Sequence, residues 1–299
     1  MRGSTISENY PLSAPPSGTA LISFDQVLLA FLQARGDEKS AVRDKNAAQH
    51  LFPEFTGWLW CEIQPHHLRN YLRRRKNAGA AVSTVNKEMG LISRAARFMS
   101  EEWGHFIANP AQGLKQREPE GRVRWLTQVQ AQTLVDCAGR LGPRAAHLPD
   151  VITLALNTGM RKGELLGLEW VRVDFVNGLI YLEGADTKSG KRRAIPINGP
   201  ARLALQTRQA VAGGGPLVFS GIQDVKRSFG HACRLAGIVN FRFHDLRHTF
   251  ASWLVQAGVP LTEVRDLLGH ASIEMTERYA HLAPDRLRGA VARLEYGAS

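Results

Sequence analysis

Cysteine is scarce in this chain. Cys61, Cys137 and Cys233 are odd in number, widely scattered and without C-x-x-C spacing. That argues against a disulfide framework or a thiolate zinc site and predicts reduced, structural thiols in a cytosolic protein. Long apolar runs are also lacking: none approaches the ~20 residues that span a bilayer, so no membrane partner is expected. The opening stretch MRGSTISENYPLSAPPSGTA has no apolar core of a secretory signal, and its Ser, Pro, Gly and Thr predict a flexible tail over residues 1–22. Acidic residues fall short as well. Against 38 Lys and Arg stand 27 Asp and Glu, a formal charge of +11 with a pI near 10.0. Such an excess suits a polyanion, nucleic acid before membrane.

What is present is a 299-residue chain, 44% hydrophobic and 22% charged, enough for a sizeable core and two globular domains. From about Ser23 to Trp103 the pattern is helical. Phe24, Val27, Leu28 and Phe31 follow the i, i+3, i+4, i+7 spacing of an amphipathic helix. Ser83 is placed to cap a helix through Val85, Met89, Ile92 and Ala96. Between them, HLRNYLRRRKNAG surrounds a Leu68–Tyr71–Leu72 stripe with charge. Arg69, Arg73, Arg74, Arg75 and Lys76, with Lys87 and Arg94 beyond, are the candidate contacts to DNA phosphates. A solvated helix face accounts for the same run.

Residues 109–125 are rich in Pro, Gly and charge, which predicts an exposed linker, bounded at 116–124, between a helical domain (23–115) and a second domain (125–299). Residues 1–121 carry 15 basic and 12 acidic side chains, and residues 122–299 carry 23 and 15, so the second part is the more basic. It reads as helices over 127–139 and 148–157, then a strand meander. VRVDFVNGLIYLEG alternates around Asn177-Gly178, a strong hairpin signal, and TKSGKRRAIPI supplies a third strand. Segregated helices with one small antiparallel sheet give an α+β fold.

Three stretches carry chemistry. In HDLRHTFASWL, read as a helix, Leu246, Phe250, Trp253 and Leu254 form the buried stripe, while His244, Arg247 and His248 share another face. Two imidazoles bracketing a guanidinium suit an anion; no Glu follows in an H-E-x-x-H pattern, so metal is not expected. In LALNTGMRKGELLGLEW, Gly159 is a left-handed helix cap, with Arg161 and, one turn on, Glu164. The pair is either a local surface ion pair or an Arg oriented to receive a phosphate bidentately. In DTKSGKRR, Lys188, Lys191, Arg192 and Arg193 crowd a turn tip, solvated by default, from which a mobile Lys could enter a groove and reach a phosphodiester.

TGMRKGELLGL, TKSGKRR, HDLRHTFASWL and LLGHASIEMTERYAHL occur in that order and at compatible separations. With them the chain resembles the tyrosine recombinase (phage integrase) family over about residues 122–285, and more weakly over 23–110. The resemblance implies a helical core-binding domain ahead of a mostly helical catalytic domain. It implies that Arg161 and Arg247 clamp the scissile phosphate and that Lys188 protonates the leaving 5′-oxygen. It further implies that His244 is the acid/base group near the nucleophile, that His270 bonds a non-bridging oxygen and that Glu164 supports the cluster. Tyr279 would attack and become linked to the 3′-phosphate, with no cofactor, metal or ATP. Lys191 and Arg192 join the implied DNA contacts.

A phenol of pKa ~10 is ionised about once in 10³ molecules near neutrality, a deficit of ~4 kcal/mol. A cationic pocket is expected to recover this by favouring phenolate. His248 is either near the phosphate or a satisfied structural histidine, and His281 and Trp253 are read as structural. Beyond Tyr279, Leu287, Ala290, Val291 and Leu294 predict a helix over about 284–295, which the family passes between protomers. The implied partners are double-stranded DNA sites and a homotetramer in synapsis, formed from monomers free in solution. Residues 1–22 are too short for the arm-binding domain of larger integrases. The expected setting is the cytoplasm of a bacterial-type cell, associated with the nucleoid when bound. A type IB topoisomerase and a non-enzymatic DNA-binding module are the competing readings.

Overall fold

A computed structural model describes residues 22–36, 38, 40–102, 104, 108–119, 121–184, 192–211 and 213–283. The chain divides into two compact units, residues 1–121 and 122–299.

Among the described residues the first unit holds four α-helices: α1 (Phe24–Ala34), α2 (Ala41–Phe55), α3 (Pro65–Asn77) and α4 (Val82–Glu102). Ser23 caps α1, its hydroxyl accepting from the Gln26 N–H while the Gln26 side chain accepts from the Ser23 N–H. The amphipathic stripe of α1 buries Phe24, Val27, Leu28 and Phe31 against Leu51, Phe55, Tyr71, Met89 and Ile92. α4 begins at Val82, so Ser83 lies inside its first turn rather than at its cap. On α3 the Leu68–Tyr71–Leu72 stripe is buried as expected. The expected linker is partly anchored: the Asn86 side chain donates to the Gln116 carbonyl and the Glu118 carboxylate and accepts the Gln116 N–H.

The second unit holds α5 (Gln128–Gly139), capped by Thr127, and α6 (Leu148–Thr158), then the short α7 (Lys162–Leu166). A three-stranded antiparallel sheet follows, in the order β1 (Val173–Asp174), β2 (Leu179–Leu182), β3 (Arg193–Pro196). Its first hairpin closes over residues 175–178 rather than two residues. The Asp174 carboxylate accepts the N–H groups of Val176 and Asn177 and widens the turn, and Gly178 takes φ +67°. Then come α8 (Gly199–Val211), α9 (Lys226–Leu235), α10 (Asp245–Gln256), α11 (Leu261–Leu268) and α12 (Glu274–Glu277). The core packs α6 against α5, α8 and α10 around Leu134, Ile152, Leu156, Leu205, Phe219 and Leu246. A second cluster joins Phe250, Val255, Val264, Leu268 and Tyr279.

α10 departs from the expected one-sided helix. Besides Leu246 and Phe250 it buries Arg247, His248, Thr249 and Ser252, whereas Trp253 and Leu254 are only half-buried. Helices α6 and α11 and the turn at 280–282 pack around it, so its polar face lines an interior. Cys137 and Cys233 are buried, but Cys61 is exposed. Among the described residues no helix is long and apolar enough to cross a membrane.

Candidate active site

Gly159 ends α6 with φ +61°, and a Cβ there would lie 2.4 Å from Phe250 Cδ1, so the position requires glycine twice over. The reversal aims its carbonyl at Arg247, which donates to it at 2.7 Å and to the Leu268 carbonyl at 2.5 Å. Arg247 is 3% exposed. Burial, then Arg161 and Arg193, push its pKa down to about 9, which leaves it charged at neutral pH.

Arg161 is the residue before α7. Glu164, three positions on, accepts its backbone N–H at 2.8 Å and its guanidinium at 2.7 Å. The other Arg161 amino group reaches the Gly269 carbonyl at 3.3 Å. Arg193, first residue of β3, closes the far side, donating to both Glu164 oxygens at 2.7 and 3.2 Å. Burial opposes ionisation of Glu164, but Arg193 and the Arg161 N–H outweigh it and hold the carboxyl below its ordinary range. Arg193 belongs to the site although the sequence motifs alone gave it no role.

Gly269 ends α11 in the left-handed region, φ +63°, under the Arg193 guanidinium, and turns the chain into His270. The His270 ring meets the buried Thr276 hydroxyl at 2.8 Å. Burial, then Arg247 and Arg161, push its pKa down to about 3, so it is a neutral ring.

Tyr279 is 1% exposed. Its hydroxyl lies 2.5 Å from Nδ1 of His248. Burial outweighs the cations Arg278 and Arg247 and pushes the phenol up to about 12, opposite to the expected stabilised phenolate. Burial, then His244, hold His248 down at about 4. His244 stands exposed at the N-terminus of α10, its ring centre 5.2 Å from that of His248. Desolvation, then Arg247, lower its pKa too. Among the described residues it makes no hydrogen bond to Tyr279.

The profile described as "Phage integrase family" matches residues 124–286. The chain belongs to the phage integrase family. It is 32% identical over 225 residues to the integrase of Salmonella phage P22, covering 70% of this chain and 56% of that protein. It is 31% identical over 202 residues to the shufflon-specific DNA recombinase of Escherichia coli, covering 67% and 51%. The matched stretch is thus only about half of each of these relatives. Tyrosine recombinase XerC of Stutzerimonas stutzeri is 30% identical over 235 residues, covering 75% and 77%. In fold it is similar to the Tn1549 transposon integrase solved with transposon right end DNA, with TM-score 0.76, 20% identity, and 92% and 100% coverage. A lambda integrase dimer bound to a COC' core site gives TM-score 0.71 at 20% identity, covering 87% and 95%.

Within this phage integrase family chain, Arg161, Glu164, Arg247, His270 and Tyr279 gather in one part of the second unit, with His248 and Arg193 added. His244 sits at the rim. Lys188 and Lys191 lie outside the described residues, as does the helix expected over 284–295. Arg192 is exposed and pairs with Glu183 at 2.6 Å. In the first unit, Arg69, Arg73 and Lys76 line a groove of about 470 Å³ with Leu72, Asn77 and Gln116. Arg75 instead pairs with the buried Glu88 at 2.7 Å and Arg94 with the buried Asp44 at 2.7 Å, while Arg74 pairs with Glu54. Lys87 is exposed on α4, and His281 is exposed.

Proposed function

We propose that this protein is a site-specific DNA recombinase that cuts and rejoins strands through a covalent 3′-phosphotyrosine at Tyr279. The observation that carries the reading is the convergence of Arg161, Arg247 and His270 in the unit that also holds Tyr279, in a chain of the phage integrase family. Arg161 and Arg247 take the non-bridging oxygens of the scissile phosphate. Each keeps only part of its fork engaged by carbonyls or Glu164, so free N–H donors remain for an anion. His270 donates Nε2–H to a phosphate oxygen while Nδ1 faces Thr276, a hydroxyl that fixes the ring. Preorganised donors stabilise the charge that builds up as the fifth oxygen approaches phosphorus. Glu164 and Arg193 orient Arg161. Lys188 supplies the proton to the leaving 5′-oxygen.

The groove of Arg69, Arg73 and Lys76 is the sequence-independent phosphate contact of the first unit. Arg75 and Arg94 serve the fold instead. Four copies assemble on two duplexes, as the solved lambda integrase forms a tetramer on a Holliday junction. The protein acts in the cytoplasm, on the nucleoid, and is monomeric before it meets DNA.

The test starts from the duplex that the full-length chain selects out of a randomised pool. Two plasmid-borne copies should exchange flanks in the presence of the wild type and not of Tyr279→Phe. Relaxation of a supercoiled plasmid lacking the selected sequence, without exchange, would favour the type IB topoisomerase reading instead.

A further inference from the structure

The reaction needs a group to take the phenolic proton, and the family resemblance assigns an acid/base part to His244. The geometry points to His248 as the group that removes the Tyr279 proton in the cleavage step and returns it on rejoining. This rests on the proposed recombinase function. His248 Nδ1 is the atom the structure brings to the hydroxyl, at 2.5 Å, with ring centres 5.8 Å apart. His244 is exposed and His270 is engaged by Thr276. His248 also follows Arg247 directly on α10, so acceptor and phosphate clamp share one rigid element. The Arg247 charge also bears on the phenol.

The electrostatics favour a base that switches on with substrate. The groups acting on His248 are His244, Asp245 and Arg247 of its own helix and Arg278 from the segment bearing Tyr279. Burial comes first and the cations add to it, keeping the ring neutral with Nδ1 free to accept. A phosphodiester carries one negative charge. Seated against Arg247, it offsets part of that cationic field and raises the basicity of His248 when the proton must move.

In the step itself the Oη–H bond of Tyr279 breaks and its proton passes to Nδ1. The freed electron pair forms the Oη–P bond as the P–O5′ bond breaks, and O5′ takes a proton from the second acid, Lys188 in the proposed assignment. On rejoining, the 5′-hydroxyl gives its proton back to that group, and His248 protonates the departing Tyr279 oxygen. No oxidant, reductant or metal enters the balance.

The experiment uses the full chain and a nicked duplex of the selected sequence from which the 5′-hydroxyl fragment escapes, so that covalent adduct accumulates. His248→Ala removes the base. His248→Asn puts a hydrogen-bonding amide near the position of Nδ1 without its basicity, and guards against a variant that fails to fold. Both should bind the duplex as the wild type does and form adduct at least ~10²-fold more slowly. Their rates should climb about tenfold per pH unit through neutrality, as unassisted phenol ionisation requires, while the wild type levels off. Difluorotyrosine at position 279, a more acidic phenol, should speed both variants more than the wild type. An unaltered rate in either variant, or a wild-type pH profile in His248→Asn, overturns the assignment and leaves Tyr279 chemistry standing. Absence of adduct in the wild type removes the recombinase function and this role together.

Discussion

Both units hold arginines on buried carboxylates, but the second also buries one, Arg247, on carbonyls. In the first, buried carboxylates meet the guanidiniums: Glu88 takes Arg75 and the Tyr71 hydroxyl, and Asp44 takes Arg94 at 2.7 Å with Arg35 and Arg43 at 3.4 and 3.6 Å. Each carboxylate is 1% exposed and joins helices that are separated in sequence. In the second unit the buried Asp245 takes Arg122 at 2.8 Å and Glu164 serves Arg161 and Arg193, while Arg247, among the described residues, is held by two carbonyls and no carboxylate. A buried cation held by neutral acceptors keeps attraction to spare for an incoming anion. Under the proposed function, matched charge holds the fold and the unmatched charge of Arg247 is where the phosphate binds.

The sharpest way to break this comparison is at the unmatched arginine. Arg247→Lys keeps the charge but loses the fork that spans Gly159 and Leu268. Adduct formation should fall ~10²–10³-fold with DNA binding little altered, measured on the nicked duplex; an undiminished rate would mean that Arg247 is structural. At the matched end, Glu88→Ala strands Arg75 and the Tyr71 hydroxyl. It should cost the first unit about 3–5 kcal/mol, read by denaturant unfolding, yet leave the rate per folded, DNA-saturated molecule unchanged. A loss of rate without a loss of stability would erase the distinction.

Smaller effects sharpen it further. Alanine at Arg69, Arg73 and Lys76 together should weaken DNA binding and lower the slope of log affinity against log salt by about 3. Binding titrations across salt concentrations would read this, and an unchanged slope would take the groove off the DNA. A separate change is expected with pH. His147, His244, His248 and His270 have folded pKa values below their ordinary range, the last two at about 4 and 3. The unfolded chain therefore binds protons as pH falls through about 6.5 while the folded chain does not, so stability of the second unit is lost from about pH 6.5 down to 4. Asp150, raised by burial to about 6, works the other way over about pH 6 to 4 but is one group against four. Thermal unfolding at stepped pH should show the decline, and its absence would mean these rings titrate freely.

The elements legible from sequence were those with local causes. Gly159 ends α6 as its left-handed cap, and Asn177-Gly178 lies in the turn of the first hairpin. Local pattern also brought out Arg161 with Glu164, because both bonds span three positions. What escaped was long-range. Arg75 and Arg94 read as phosphate contacts because the carboxylates that claim them stand 13 and 50 positions away, and Arg193 finds Glu164 across 29. The bond between His248 and Tyr279 spans 31 positions, and periodicity on α10 cannot reveal that its polar face is enclosed. The buried phenol follows from the same enclosure: the pocket that supplies cations also excludes the water that would solvate phenolate.

The most direct test of the central claim is to trap the covalent adduct on the nicked duplex, digest it, and identify the DNA-bearing peptide by mass spectrometry. The account predicts a 3′-phosphoryl group on Tyr279 and no adduct from Tyr279→Phe. Attachment at another residue, or an adduct that persists in that variant, would contradict it.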